Sequence, residues 1–267
     1  MSATDHAAPS ASDIKRLGPW GALLVEPEAA APPEPAPRTP RSLASEFGWG
    51  LVSTAALAIF LGLQWGWVAA AAGVLGVLVH ELGHLVAINS LGCGPGRIQI
   101  IPFFGGAASM RRAPDTEFKS VLIALAGPLA GLIAAAPFWG LYAATGDRLW
   151  LQGVLFVGGL NLLNLLPAPP LDGAKALGPA LAWIHPMVER GAMIFLGGLG
   201  VYLAVRFGQP LIAAFVGIGA AQAVLGRAPR APAQRMTVLQ WLASLALWLA
   251  AFALCAGVTW AALPRQA

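Results

Sequence analysis

The chain predicts an all-α polytopic membrane protein of about six to seven transmembrane helices, with a short β-hairpin-like loop between the second and third spans. Three observations carry that expectation. Hydrophobic residues make up 57% of the 267 positions and charged residues only 10%, whereas a soluble domain carries roughly 25% charged residues. From Phe47 onward, apolar segments close to the roughly 20 residues needed to cross a bilayer follow one another with short breaks. The longest break, Leu91 to Phe118, holds two short β-prone runs on either side of Gly105-Gly106, the pattern of a hairpin.

Taken in order, residues 1–46 differ from the rest. They are rich in Ala, Glu and Pro, with prolines at 32, 33, 35, 37 and 40, and the composition favours a disordered cytoplasmic tail. The apolar patch Trp20 to Val25 is too short to span, and no basic-then-apolar leader pattern is visible. Spans are expected at 50–65, 68–90, 119–144, 149–167, 188–205, 209–226 and 237–262. Gln64-Trp65-Gly66-Trp67 separates the first two as a tight turn with interfacial aromatic anchors. The expected organisation is a tail (1–46), a membrane core (47–226), and a basic loop with an extra C-terminal span (227–267).

The formal net charge of +4 is a matter of topology rather than of nucleic acid. No basic cluster is interleaved with aromatics. With the N-terminus in the cytoplasm, thirteen of the sixteen Lys and Arg residues fall on the inside, leaving Arg148, Arg206 and Arg265 outside. That asymmetry follows the positive-inside rule. It predicts a cytoplasmic N-terminus and an outside C-terminus. The expected localisation is that of an integral, multi-pass protein of a bacterial cytoplasmic membrane, in contact with the lipid bilayer and with no nucleic-acid partner. Cys93 and Cys255 lie far apart and lack C-x-x-C partners, so ordinary thiols are expected.

Chemistry concentrates at His80-Glu81-Leu82-Gly83-His84, an H-E-x-x-H pattern inside an apolar run. On a helix the two histidines, four residues apart, share a face and can bind one metal. Glu81 beside them can take a proton from a metal-bound water. Ionisable groups at membrane depth are costly, so such a cluster points to function. Catalytic zinc usually has a third protein ligand. His6 lies in the tail and His185 in a loop. Asp115, Glu117, Asp147 and Glu189 sit in polar loops near basic residues, where a solvated charge is the ordinary reading. Asp172 instead closes the apolar run Asn161 to Pro170, just after prolines at 167, 169 and 170 that break the helix. Broken backbone at membrane depth is tolerated where it is buried in protein or lines a wet cavity. The topology also sets His80, His84 and Asp172 at similar depth, toward the cytoplasmic face.

Val79 to His84 together with Asn164-Leu-Leu-Pro-Ala-Pro-Pro-Leu-Asp172-Gly173 resembles the site-2 protease family of intramembrane zinc metalloproteases. Phe103-Phe-Gly-Gly106 and Ala126-Gly127-Pro128-Leu-Ala-Gly131 are similar to its loop and third-span segments. The resemblance covers roughly residues 47–225, judged by motif spacing. It is to a compact member, without a PDZ or CBS domain. It implies one zinc ion (Zn2+) per chain on His80, His84 and Asp172, with Glu81 as general base. It further implies Asn164 as a catalytic hydrogen-bond donor to substrate or oxyanion, and a transmembrane protein as the substrate. Asn161 reads as a bundle-stabilising amide, and Gly127 and Gly131 as small-xxx-small helix packing. Two rival readings stand beside this one. A CAAX prenyl-protease type would need a downstream Glu ligand, and Glu117 and Glu189 lack that context. A non-proteolytic zinc-binding membrane protein or transporter would have no need of Glu81.

Overall fold

A computed structural model describes residues 43–101, 105–225 and 234–264. The expected tail therefore lies outside the described residues, apart from its last few positions at the start of the first helix. Nine α-helices are present among the described residues: α1 Leu43–Trp65, α2 Trp67–Ser90, α3 Glu117–Gly131, α4 Ala136–Thr145, α5 Leu149–Asn164, α6 Asp172–Ile184, α7 Pro186–Arg206, α8 Pro210–Leu225 and α9 Val238–Ala261. Strands β1 Arg97–Ile101 and β2 Gly105–Ser109 lie between α2 and α3. The helical, multi-pass architecture expected from the sequence is thus the one observed. Each of the seven expected spans overlaps a helix, although the one expected at 149–167 leaves the helix after Asn164. Among the described residues, four stretches are long and apolar enough to cross a membrane: Trp67–Ser90, Glu117–Thr145, Pro186–Arg206 and Val238–Ala261. Gly50–Trp65, Leu149–Asn164 and Ile212–Ala221 are shorter apolar helices.

The breaks between helices have local causes. Gly66 adopts φ 87° between α1 and α2, a left-handed conformation that glycine reaches without Cβ strain. At the start of α3 the Thr116 side chain accepts a hydrogen bond from the Lys119 amide at 3.2 Å, capping an otherwise unpaired N–H. Pro128 lies inside α3, and a 3-10 turn, Leu132–Ala135, joins α3 to α4. The rod ends at Gly146, φ 70°, close to the break expected at 144–149.

The hairpin is antiparallel, with Arg97 opposite Ser109 and Ile101 opposite Gly105. Gly105-Gly106 therefore lies within β2 and not between the strands; residues 102–104 lie outside the described residues. Phe103 is among them.

One helix was not anticipated. The proline-broken segment after α5 does not continue as a loop; the chain re-forms a helix at Asp172. This α6 carries its apolar residues on one face, with Ala176 and Ala180 buried against Val121 and Leu125 of α3 and Ala251 and Cys255 of α9. A second cluster joins Val68 and Ala72 of α2, Phe138 of α4, and Val154 and Val157 of α5. In lipid such contacts gain little from the hydrophobic effect and depend on close packing. Small residues permit it: a Cβ on Gly83 would overlap the Ala126 carbonyl oxygen on α3. The α2–α3 pair so formed holds the first two site residues against the third.

Candidate metal centre

His80 and His84 project from one face of α2, as their spacing requires, and both are buried, as are Glu81 and Asp172. The tautomers can be read from the neighbours. Asn161 donates its amide N–H to the Val157 carbonyl at 2.9 Å, so its Oδ1 is the atom 2.9 Å from His80 Nδ1. An amide oxygen only accepts, so His80 Nδ1 carries the hydrogen. His84 Nδ1 lies 2.7 Å from the Ile123 carbonyl oxygen and by the same rule is the donor. In the neutral rings both Nε2 atoms are then bare lone pairs.

Those lone pairs converge with a carboxylate oxygen. Asp172 Oδ2 is 3.0 Å from His80 Nε2 and 3.0 Å from His84 Nε2. The two Nε2 atoms are 3.1 Å apart. Three acceptors facing one another repel unless a cation or proton sits among them. The two histidines and Asp172 are the group that could hold a metal ion among the described residues. Zinc bonds of about 2.0–2.2 Å place tetrahedral ligand atoms about 3.3–3.6 Å apart. The observed triangle is a few tenths of an ångström tighter and has the right size and donor chemistry. Hydrogen bonds donated by the outer ring nitrogens, which fix ligand tautomer and tilt, are the usual companions of histidine ligands. The donor set therefore fits zinc.

Asp172 opens α6, where a carboxylate is favoured by the positive end of the helix dipole. Lys175 Nζ stands 3.7 Å from its other oxygen, Oδ1, and is largely exposed. The pairing with Lys175 and the approach to the histidines thus use different oxygens of one carboxylate. Glu81 is 5% exposed, and its Oε2 has no hydrogen-bond partner. A buried carboxylate oxygen left unpaired is costly in a purely structural role.

The other acids have separate occupations. Lys119 hydrogen-bonds Asp115 at 2.9 Å and holds that exposed carboxyl below its ordinary range. Glu117 Oε2 accepts from the Met236 amide at 3.3 Å, and Asp147 Oδ1 from the Leu149 amide at 2.9 Å. Glu189 lies in the first turn of α7. Neither Glu117 nor Glu189 joins the donor cluster. His185 caps α7 by accepting from the Met187 amide at 3.1 Å. Asn164 is half-buried and donates to the Leu160 carbonyl at 3.1 Å on its own helix.

Asn161 and the two glycines of α3 take on roles different from those expected. Asn161 is fully buried and orients His80 as well as bracing the bundle. A Cβ on Gly127 would overlap the His84 ring, and one on Gly131 would overlap the Asn161 amide. Their missing side chains make room for the His84 ring and for the Asn161 amide, not for another helix backbone. An amide in an otherwise apolar α5 was the available signal, since such a group seeks a partner in the bundle.

Residues 68–148 match Peptidase family M50. A protein of Synechocystis carrying the name zinc metalloprotease sll0528 is 31% identical over 126 residues, covering 44% of this chain and 32% of that protein. Zinc metalloprotease Rip2 of Mycolicibacterium smegmatis, by name, is 39% identical over 97 residues (34% of this chain, 36% of its own length). The protein named Rip3 of Mycobacterium tuberculosis is 29% identical over 160 residues (56% and 38%). The chain thus spans about a third of the length of the curated relatives it matches. The M50 match takes in His80, Glu81 and His84, and Asp172, from beyond it, completes the group that could hold a metal ion.

Proposed function

We propose that the chain is an intramembrane zinc endopeptidase that hydrolyses a peptide bond in or near a transmembrane segment of a substrate protein, as in regulated intramembrane proteolysis. The observation that carries this reading is the buried Glu81 carboxylate, whose Oε2 is unpaired among the described residues, one residue from a triangle of convergent lone pairs. His80, His84 and Asp172 are the zinc ligands. Zinc held there would supply a Lewis acid to the scissile carbonyl and to the attacking water. Glu81 accepts the proton from the attacking water and delivers it to the leaving amine. Asn161 keeps His80 in the Nδ1–H tautomer so that Nε2 faces inward.

Asn164 is assigned to hydrogen-bonding substrate or the developing oxyanion, for which its amide must turn from Leu160. A helical substrate hides its carbonyls, so the segment cleaved has to unwind. The outer edge of the Arg97–Ser109 hairpin offers backbone groups to an extended strand. The distribution of Lys and Arg supports a cytoplasmic N-terminus, with the site toward the cytoplasm; the membrane assigned is the bacterial inner membrane.

The test is Glu81→Gln in the full chain. It should retain zinc and reduce cleavage by about two to four orders of magnitude, the range for a lost general base. In cells the same variant should accumulate with uncleaved single-span proteins. A Glu81→Gln preparation that cleaves at the parent rate sinks the mechanism; zinc binding by the parent without any cleavage favours the non-proteolytic reading.

A further inference from the structure

The last helix, α9, lies outside the M50 match and outside the motifs, yet it touches the segment that presents Asp172. The prolines explain why that segment needs help. In an uninterrupted helix the Leu163, Leu165 and Leu166 carbonyls would accept from the amides of residues 167, 169 and 170. All three of those are proline and have no N–H to give. Two of the carbonyls find local substitutes: Leu163 accepts from the Leu166 amide at 3.0 Å, and Leu166 from the Ala168 amide at 2.8 Å. Leu165 is fully buried and has no such substitute in the loop. Its carbonyl accepts instead from the Trp248 indole N–H of α9 at 3.1 Å.

The same carbonyl bears on the metal ligand. Gly173, the neighbour of Asp172, is so close that a Cβ there would overlap the Leu165 and Leu166 carbonyl oxygens. A shift of the Leu165 peptide therefore moves the backbone that carries Asp172. Two more indoles fix α9 in place. Trp241 donates to the Ala180 carbonyl of α6 at 2.9 Å, and Trp183 of α6 donates to the Met236 carbonyl at 3.1 Å. The Trp183 and Trp241 rings stack with centroids 5.1 Å apart. At its far end α9 meets α5, where a Cβ on Gly158 would overlap Thr259 Oγ1.

We infer that Trp248 is a positioning residue for the metal centre, and that α9 is the brace which holds the proline-broken Asp172 segment in ligating geometry. The inference rests on the metal-site reading above. It requires only one hydrogen bond, from the indole N–H to the Leu165 oxygen, so it can be removed without removing the ring.

The experiment measures zinc affinity of the full chain in detergent by competition with a chromophoric chelator. Unfolding temperature is followed in parallel. The parent is compared with Trp248→Phe, with Trp248 replaced by its sulfur isostere benzothienylalanine, and with Trp260→Phe, a change at an exposed indole of the same helix. Both Trp248 replacements should bind zinc about tenfold more weakly, the lower end of what loss of an outer-shell partner costs. Trp260→Phe should bind as the parent does. The isostere keeps shape and volume, so a loss of affinity there cannot be ascribed to a cavity. Parent-like affinity in the isostere overturns the inference. A parent that binds no zinc overturns the metal centre itself, so the two failures are distinct.

Discussion

At the residue scale the site is built from groups that are each unsatisfied alone. His80 and His84 present bare Nε2 atoms because Asn161 and the Ile123 carbonyl hold their other nitrogens. Removing one holder frees a ring. Asn161→Leu should weaken zinc binding by about 10–100-fold, measured by chelator competition. Asn161→Asp keeps an acceptor at the same place and should lose less. Gly127→Ala places a methyl group against the His84 ring and should weaken zinc binding by at least about tenfold, whereas Gly140→Ala, a site with open space around it, should leave it unchanged. The histidines, Glu81 and Asp172 were legible in the sequence because their chemistry depends on residue type and local spacing. Asn161 and the glycines were not, since their roles depend on which atom of another helix lies opposite.

At the scale of elements, helix ends decide where the site residues stand. The α3 N-terminus carries a Thr116 cap and also pairs with the segment ahead of α9: the Glu117 amide donates to the Gln234 carbonyl at 3.0 Å, and Gln234 N–H to the Asp115 carbonyl at 2.7 Å. Thr116→Ala should cost about 1 kcal/mol of stability, read as a lower unfolding temperature in detergent, with zinc stoichiometry unchanged. The break between α5 and α6 has the opposite character. Its prolines remove three amide donors at once, and the chain re-forms a helix only at Asp172, whose carboxylate suits a helix start. Sequence located the break. It did not show α6, because the short amphipathic run after Asp172 has neither the length nor the uniform apolarity of a span.

At the scale of the molecule, the proposed ligands come from separate helices, so metal binding and folding would be one equilibrium. His80 and His84 come from α2 and Asp172 from α6, with orienting groups from α3 and α5. A metal that bridges them stabilises the folded bundle by mass action. Chelation should therefore lower the unfolding temperature as well as abolish cleavage, and stoichiometric zinc should restore both. In Asp172→Ala, which lacks a ligand, the unfolding temperature should respond far less to zinc. An equal response in parent and variant would place the stabilising ion elsewhere.

The sequence by itself determined the class of solvent, the helical architecture and the candidate ligand set. Apolar composition dictates a bilayer, and a bilayer dictates internally bonded backbone; H-E-x-x-H needs only helical periodicity to face two histidines the same way. Tertiary structure alone decided how those ligands are held. Which glycine faces the His84 ring, which amide fixes His80 and which indole satisfies the orphaned Leu165 carbonyl are matters of contact between residues up to 83 positions apart. Such contacts depend on helix rotation and depth, which the packing of neighbouring helices sets.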